Sequence, residues 1–106
     1  MKEVILLIDT SDNKQVVAGL KKDGEEFMLS QTADNWKAQA VLPLVEKLLK
    51  EHKLSFSDLT AVEVNSGPGS FTGLRVGAAI ANTLGTVLQI PINGKKVGEI
   101  VEPTYV

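Results

Sequence analysis

Two short segments carry residues whose types and spacing could do chemistry. The first is Ser66-Gly67-Pro68-Gly69-Ser70-Phe71-Thr72-Gly73, a glycine-rich turn between a β-branched run and a helical pattern. Such a turn can set backbone N–H groups around a phosphate, with the following helix N-terminus adding favourable potential. The spacing meets neither standard form. Gly67-x-Gly69 is followed by Gly73 one position too late for the dinucleotide fingerprint, and the lysine and Ser/Thr pair of the phosphate loop are missing. The plainer reading is a tight turn that lets the helix pack close to its strand. The second segment is Asp9-Thr10-Ser11, where a carboxylate at a strand end could hold hydrated magnesium against phosphates. The same triplet is also ordinary turn chemistry. Together Asp9, Thr10, Gly67, Gly69 and Ser70 are the candidate contacts for a magnesium nucleotide. Arg75 could bind an anion, or pair with Glu63 or a helix-end carbonyl.

Other chemistries are excluded by composition. The 106 residues include no cysteine and a single histidine, His52, so thiol nucleophiles, disulfides and zinc ribbons are ruled out, and no histidine pair can form a metal site. Eleven Lys and Arg against 13 Asp and Glu give a net charge of −2, which argues against a basic footprint broad enough to hold a nucleic acid. Val4 to Ile8 is too short for a signal-peptide core, and the stretch from Leu74 to Ile92 is interrupted by Arg75, Asn82, Gln89 and Pro91, so neither reads as a membrane segment. The expectation is one cytoplasmic domain with no metal centre and no required cofactor.

The elements that position these residues follow from the hydrophobic period. Glu3 to Ile8, Gln15 to Leu20 and Glu26 to Gln31 are short apolar or alternating runs, separated at Asp12-Asn13 and Asp23-Gly24 by turn chemistry. They predict a three-stranded antiparallel meander. From Asp34 the period lengthens, with Trp36, Ala40, Val41, Leu44, Val45, Leu48 and Leu49 on one face. This predicts an amphipathic helix capped at Asp34 or Asn35, with a kink or a looser first half at Pro43. Thr60 to Asn65 predicts a fourth strand, parallel to a neighbour because a helical crossover precedes it. A second helix runs to about Leu88, and Ile90-Pro91-Ile92 predicts a short fifth strand. Lys95 to Val106 reads as a tail partly docked at best.

The second helix places Gly73, Gly77, Ala81 and Gly85 at four-residue intervals. Such a stripe admits another backbone closely, and the roughly 1 kcal/mol that each glycine costs a helix calls for compensation by packing. The first helix and the sheet could supply it within the chain, or a partner subunit could.

The run Asn65-Ser66-Gly67-Pro68-Gly69-Ser70-Phe71-Thr72-Gly73-Leu74-Arg75-Val76-Gly77 resembles the signature of the bacterial TsaB family, also called YeaZ, the non-catalytic partner in tRNA threonylcarbamoyladenosine synthesis. Ile8-Asp9-Thr10-Ser11, Leu42-Pro43-Leu44 and Leu54 to Leu59 occur in that family's order, so the resemblance covers residues 1–93. It implies a single actin-like, ribonuclease H-like α/β domain with a five-stranded mixed sheet and two main helices. The family's members usually have two such domains, which makes residues 94–106 a tail and leaves the second domain absent. Asp9 and the glycine loop then form half of an interdomain nucleotide site at most. The related catalytic subunit uses paired histidines on a metal, so no catalytic residue is carried over here. The resemblance implies association with that catalytic tRNA threonylcarbamoyl transferase homologue, and a homodimer in its absence, through the two helices. The expected contacts are Trp36, Ala40 and Leu44 on the first helix and Gly73, Gly77, Ala81 and Gly85 on the second. A histidine often stands in the family where Lys37 is found here.

Overall fold

The computed structural model describes residues 2–33 and 37–104. The expected cap at Asp34 or Asn35 and the expected contact at Trp36 lie outside them. Three strands open the chain, β1 (Val4–Asp9), β2 (Gln15–Lys22) and β3 (Glu25–Thr32). β1 pairs antiparallel with β2, and β2 with β3. Asp23 and Gly24 both take positive φ, 53° and 80°, as a two-residue hairpin turn matched to strand twist requires. After the helix α1 (Lys37–Glu51) comes β4 (Ala61–Val64), parallel to β1, and then α2 (Phe71–Leu88). The sheet order is β3-β2-β1-β4.

The sheet has four strands, which corrects the expected five. Val62 and Ile92 form an isolated parallel bridge at the place where a fifth strand would pair. Two features stop it there. Pro91 has no N–H to continue a ladder, and Asn93 turns away at φ 50°. The Asn93 side chain then takes over the pairing, its Oδ1 accepting from Val64 N at 2.8 Å and its Nδ2 donating to Val64 O at 3.1 Å. One amide side chain thus satisfies the edge of β4 where further backbone would have done so.

Both helices cover one face of the sheet, α1 over β2 and β3, α2 over β4 and β1. The strands alternate accordingly. Val4, Leu6 and Ile8 are buried beside Val16, Ala18, Leu20, Val62 and Val64, and the inward faces of α1 and α2 close the core over them. The opposite face of the sheet carries half-buried Leu7 and Val17 and exposed Met28. α1 continues through Pro43, which stands on its exposed side. Among the described residues after Gly94 there is no helix or strand, yet the segment is tied down. Val101 is 4% exposed within the core cluster, Asn82 of α2 bonds both its N–H and its carbonyl, at 2.8 and 2.9 Å, and Thr104 N donates to Ser66 O at 2.6 Å.

Candidate functional site

β1 ends at Asp9, and its continuation through Thr10 and Ser11 runs against the start of α2. Ser70 caps that helix, accepting from Gly73 N through its hydroxyl at 3.3 Å. Thr10 is fully buried and its Oγ1 donates to Gly73 O at 2.5 Å. The structure brings Asp9, Thr10, Gly67, Gly69 and Ser70 together. The reason is contact between backbones. A Cβ at Gly69 would strike Ser11, one at Gly73 would strike the Thr10 carbonyl, and one at Gly67, already at φ 129°, would strike the carbonyl of Thr104.

The chemistry of this cluster is that of a closed turn. Gly67 N donates to Asn65 Oδ1 at 3.0 Å, Ser70 N to Ser11 O at 2.8 Å and Leu74 N to Ser70 O at 2.8 Å. With Gly73 N on the Ser70 hydroxyl, four loop donors that could have cradled a phosphate already have partners inside the chain. The Gly67–Pro68 peptide is cis. Asp9 accepts from Ser11 N at 2.9 Å, Ser11 Oγ at 2.6 Å and Asn65 Nδ2 at 3.3 Å, all on Oδ1. Burial raises its pKa, but the three hydrogen bonds outweigh that and hold the carboxyl below its ordinary value of 3.8. Asp9 is thus a fixed anion at the rim of a 620 Å³ depression on the open sheet face, shared with Leu7, Val17, Met28, Asn65 and Asn93 among others. Among the described residues no group of three or more His, Cys, Asp or Glu is placed to hold a metal ion.

The expected helical contacts are placed differently. Gly77 would meet Thr10 Oγ1 and Val64 with a Cβ, and Gly85 would meet Ile92. Gly73, Gly77, Ala81 and Gly85 are all buried, and on α1 so are Ala40 and Leu44. These six pack inside the chain, and the sheet supplies the compensation that the glycines need, which corrects their assignment to a partner surface. Arg75 does not pair with Glu63, whose carboxylate meets Lys21 Nζ at 3.6 Å.

The outward face of the helices is built from other residues. Phe71, Arg75, Ala79 and Thr83 also recur every fourth position, offset from the glycines by two residues and hence on the opposite side of α2. Phe71, Arg75 and Ala79, with Ala38 and Leu42 of α1, frame a groove of 420 Å³ that also touches Val76 and Ile80, continued by a second hollow of 220 Å³ along Leu42, Ala79, Ile80, Thr83 and Leu84. Leu42 is 43% and Phe71 57% exposed. A continuous apolar surface of this kind marks an interaction site more often than chance. The available signal in the sequence was the apolar character of α2 on nearly all sides.

The fold is of the α/β class, a mixed sheet with both helices on one side, and the matches that follow assign it to the actin-like, Gcp-like type. A profile of the family TsaD, tRNA N6-adenosine threonylcarbamoyltransferase, matches residues 26–95. The tRNA threonylcarbamoyladenosine biosynthesis protein TsaB of Buchnera aphidicola from Schizaphis graminum is 38% identical over 89% of this chain and 44% of its own length. A probable tRNA N6-adenosine threonylcarbamoyltransferase of Drosophila melanogaster is 42% identical over 67% of this chain and 20% of its own. The crystallised YeaZ from Pseudomonas aeruginosa superposes with a TM-score of 0.81 at 29% identity, over 89% of this chain and 44% of that one. The chain belongs to the TsaB/YeaZ family, within the larger family of threonylcarbamoyladenosine proteins. It spans less than half the length of these relatives. Among the described residues no helix is long and apolar enough to cross a membrane.

Proposed function

We propose that this chain is a non-catalytic accessory domain in tRNA N6-threonylcarbamoyladenosine modification, and that it docks a transferase-type homologue in the groove between α1 and α2. The observation that carries the reading is the groove itself, an apolar trough with Leu42 and Phe71 held open to solvent on the helical face. The kinship adds a geometric argument. A transferase profile and a TsaB protein both align with this chain, so a transferase of the same fold class presents a two-helix face of its own. Two such faces pack in a quasi-symmetric way, as they do across an isologous interface. The occupied loop donors around Ser70 support a structural role for the glycine turn over a phosphate-binding one. Cytoplasmic location is part of the same reading.

The test is to mix the chain with the transferase-type subunit of its own source organism and weigh any complex by light scattering after gel filtration. A 1:1 complex that Leu42→Asp abolishes supports the reading. Absence of a complex at tens of micromolar refutes it.

A further inference from the structure

Arg75 lines this groove one turn of α2 beyond Phe71. Its guanidinium carbon lies 5.6 Å from the centroid of the Phe71 ring, and among the described residues no carboxylate lies within ion-pair distance of it, Glu63 being paired with Lys21 on the sheet. The other residues lining the groove are apolar or uncharged. At that distance the cation is attracted to the ring face, and a guanidinium offers a planar donor fork that can make two parallel bonds to a carboxylate. From Phe71 to Thr83 the helix rises about 18 Å, a little over three turns, which is the length of surface an amphipathic helix needs to seat itself by spaced apolar anchors.

We propose that Arg75 determines which partner the groove accepts. It reads an Asp or Glu on an apolar helix face of a homologous α/β domain. The inference rests on the reading of the groove as a docking surface. A second copy of this chain is the poorer occupant. α2 contains no acidic residue, and the two glutamates of α1, Glu46 and Glu51, each stand next to a lysine, Lys47 and Lys50. Pairing α2 against α2 brings Arg75 no carboxylate, whereas an acid-bearing helix from a different domain satisfies it. The apolar walls then supply affinity and Arg75 supplies selection, the usual division between the desolvated centre of an interface and its charged rim.

Calorimetric titration of the full chain with the transferase-type subunit, at low and at moderate salt, tests this with four proteins: wild type, Arg75→Lys, Arg75→Glu and Leu42→Asp. Circular dichroism confirms that each is folded. Arg75→Glu is expected to weaken binding at least tenfold, about 1.4 kcal/mol, with Arg75→Lys between it and wild type because lysine keeps the charge and loses the fork. Wild-type affinity falls with salt, and that dependence is reduced in Arg75→Glu. If Arg75→Glu binds as wild type while Leu42→Asp does not bind, the docking surface stands and the role of Arg75 is overturned. If wild type does not bind at all, the docking reading fails and this inference with it. Self-association that competes with the titration and is indifferent to Arg75→Glu assigns the groove to a second copy and likewise overturns the proposal.

Discussion

The two sides of α2 use the same spacing for opposite ends. On one side Gly73, Gly77, Ala81 and Gly85 face β1, β4 and the chain after it so closely that a single added carbon at Gly73 or Gly77 would overlap Thr10. On the other, Phe71, Arg75, Ala79 and Thr83 border an open groove. A four-residue repeat of small residues shows that something approaches a helix closely. It does not say whether the neighbour belongs to the same chain. Here the glycine side is spoken for by the sheet, and the surface left for another molecule is the apolar side that the glycines do not occupy.

The sharpest way to break this contrast is to fill the inward side. Gly77→Leu drives a side chain into Thr10 and Val64 and is expected to cost about 3 kcal/mol, the upper part of the range for overpacked cores. Urea unfolding monitored by circular dichroism gives the value directly, and a variant as stable as wild type would place α2 further from the sheet than described. Next comes the strap that crosses α2 after Gly94. Val101→Ala empties a buried position and should cost about 2 kcal/mol. Asn82→Ala, which strips the Val101 backbone of both side-chain bonds, should cost about 1 kcal/mol. Because the two share one contact, the double variant should lose less than the sum.

Asp9 gives a smaller, pH-dependent effect. Its folded pKa lies below the unfolded value of 3.8, so the unfolded chain binds the proton more readily and stability rises with pH through that interval. The contribution is fully present above about pH 5 and drains as pH falls through the folded pKa. Thermal melts of wild type and Asp9→Asn should therefore differ near neutrality and converge on acidification. Curves that stay parallel down to about pH 2.5 would assign the stabilisation to the neutral part of the hydrogen bonds. The smallest effect on stability belongs to the outward side. Leu42→Asp replaces an exposed side chain and should change the unfolding free energy by no more than about 0.5 kcal/mol.

Much of this fold was legible because its signals are local. Asp23-Gly24 announces a hairpin through two adjacent positive-φ positions, and the second helix ends at Leu88 where its apolar pattern does. The glycine turn was legible as a close approach for the same reason. What escaped depends on distant partners. The fifth strand fails partly at Pro91, which the sequence does show, and partly because the Asn93 side chain replaces backbone pairing with Val64, 29 residues away, which it does not. The docking of Val101 rests on Asn82, a polar residue within an otherwise apolar helix. The facing of α2 was hidden by its composition: when a helix is apolar on nearly all sides, periodicity fixes which residues share a stripe and leaves open which stripe is buried.

Methyl NMR shows whether the outward stripe of α2 receives the partner. The chain is labelled at alanine, leucine, isoleucine and methionine methyls and titrated with the transferase-type subunit. Docking in the groove shifts Leu42, Ala79 and Ile80 and leaves unmoved the methyls of Leu74 and Ala81 on the buried side and Met28 on the open sheet face. Perturbation centred on Leu7 and Met28, with Leu42 and Ala79 unchanged, would contradict it and move the interface to the other side of the sheet.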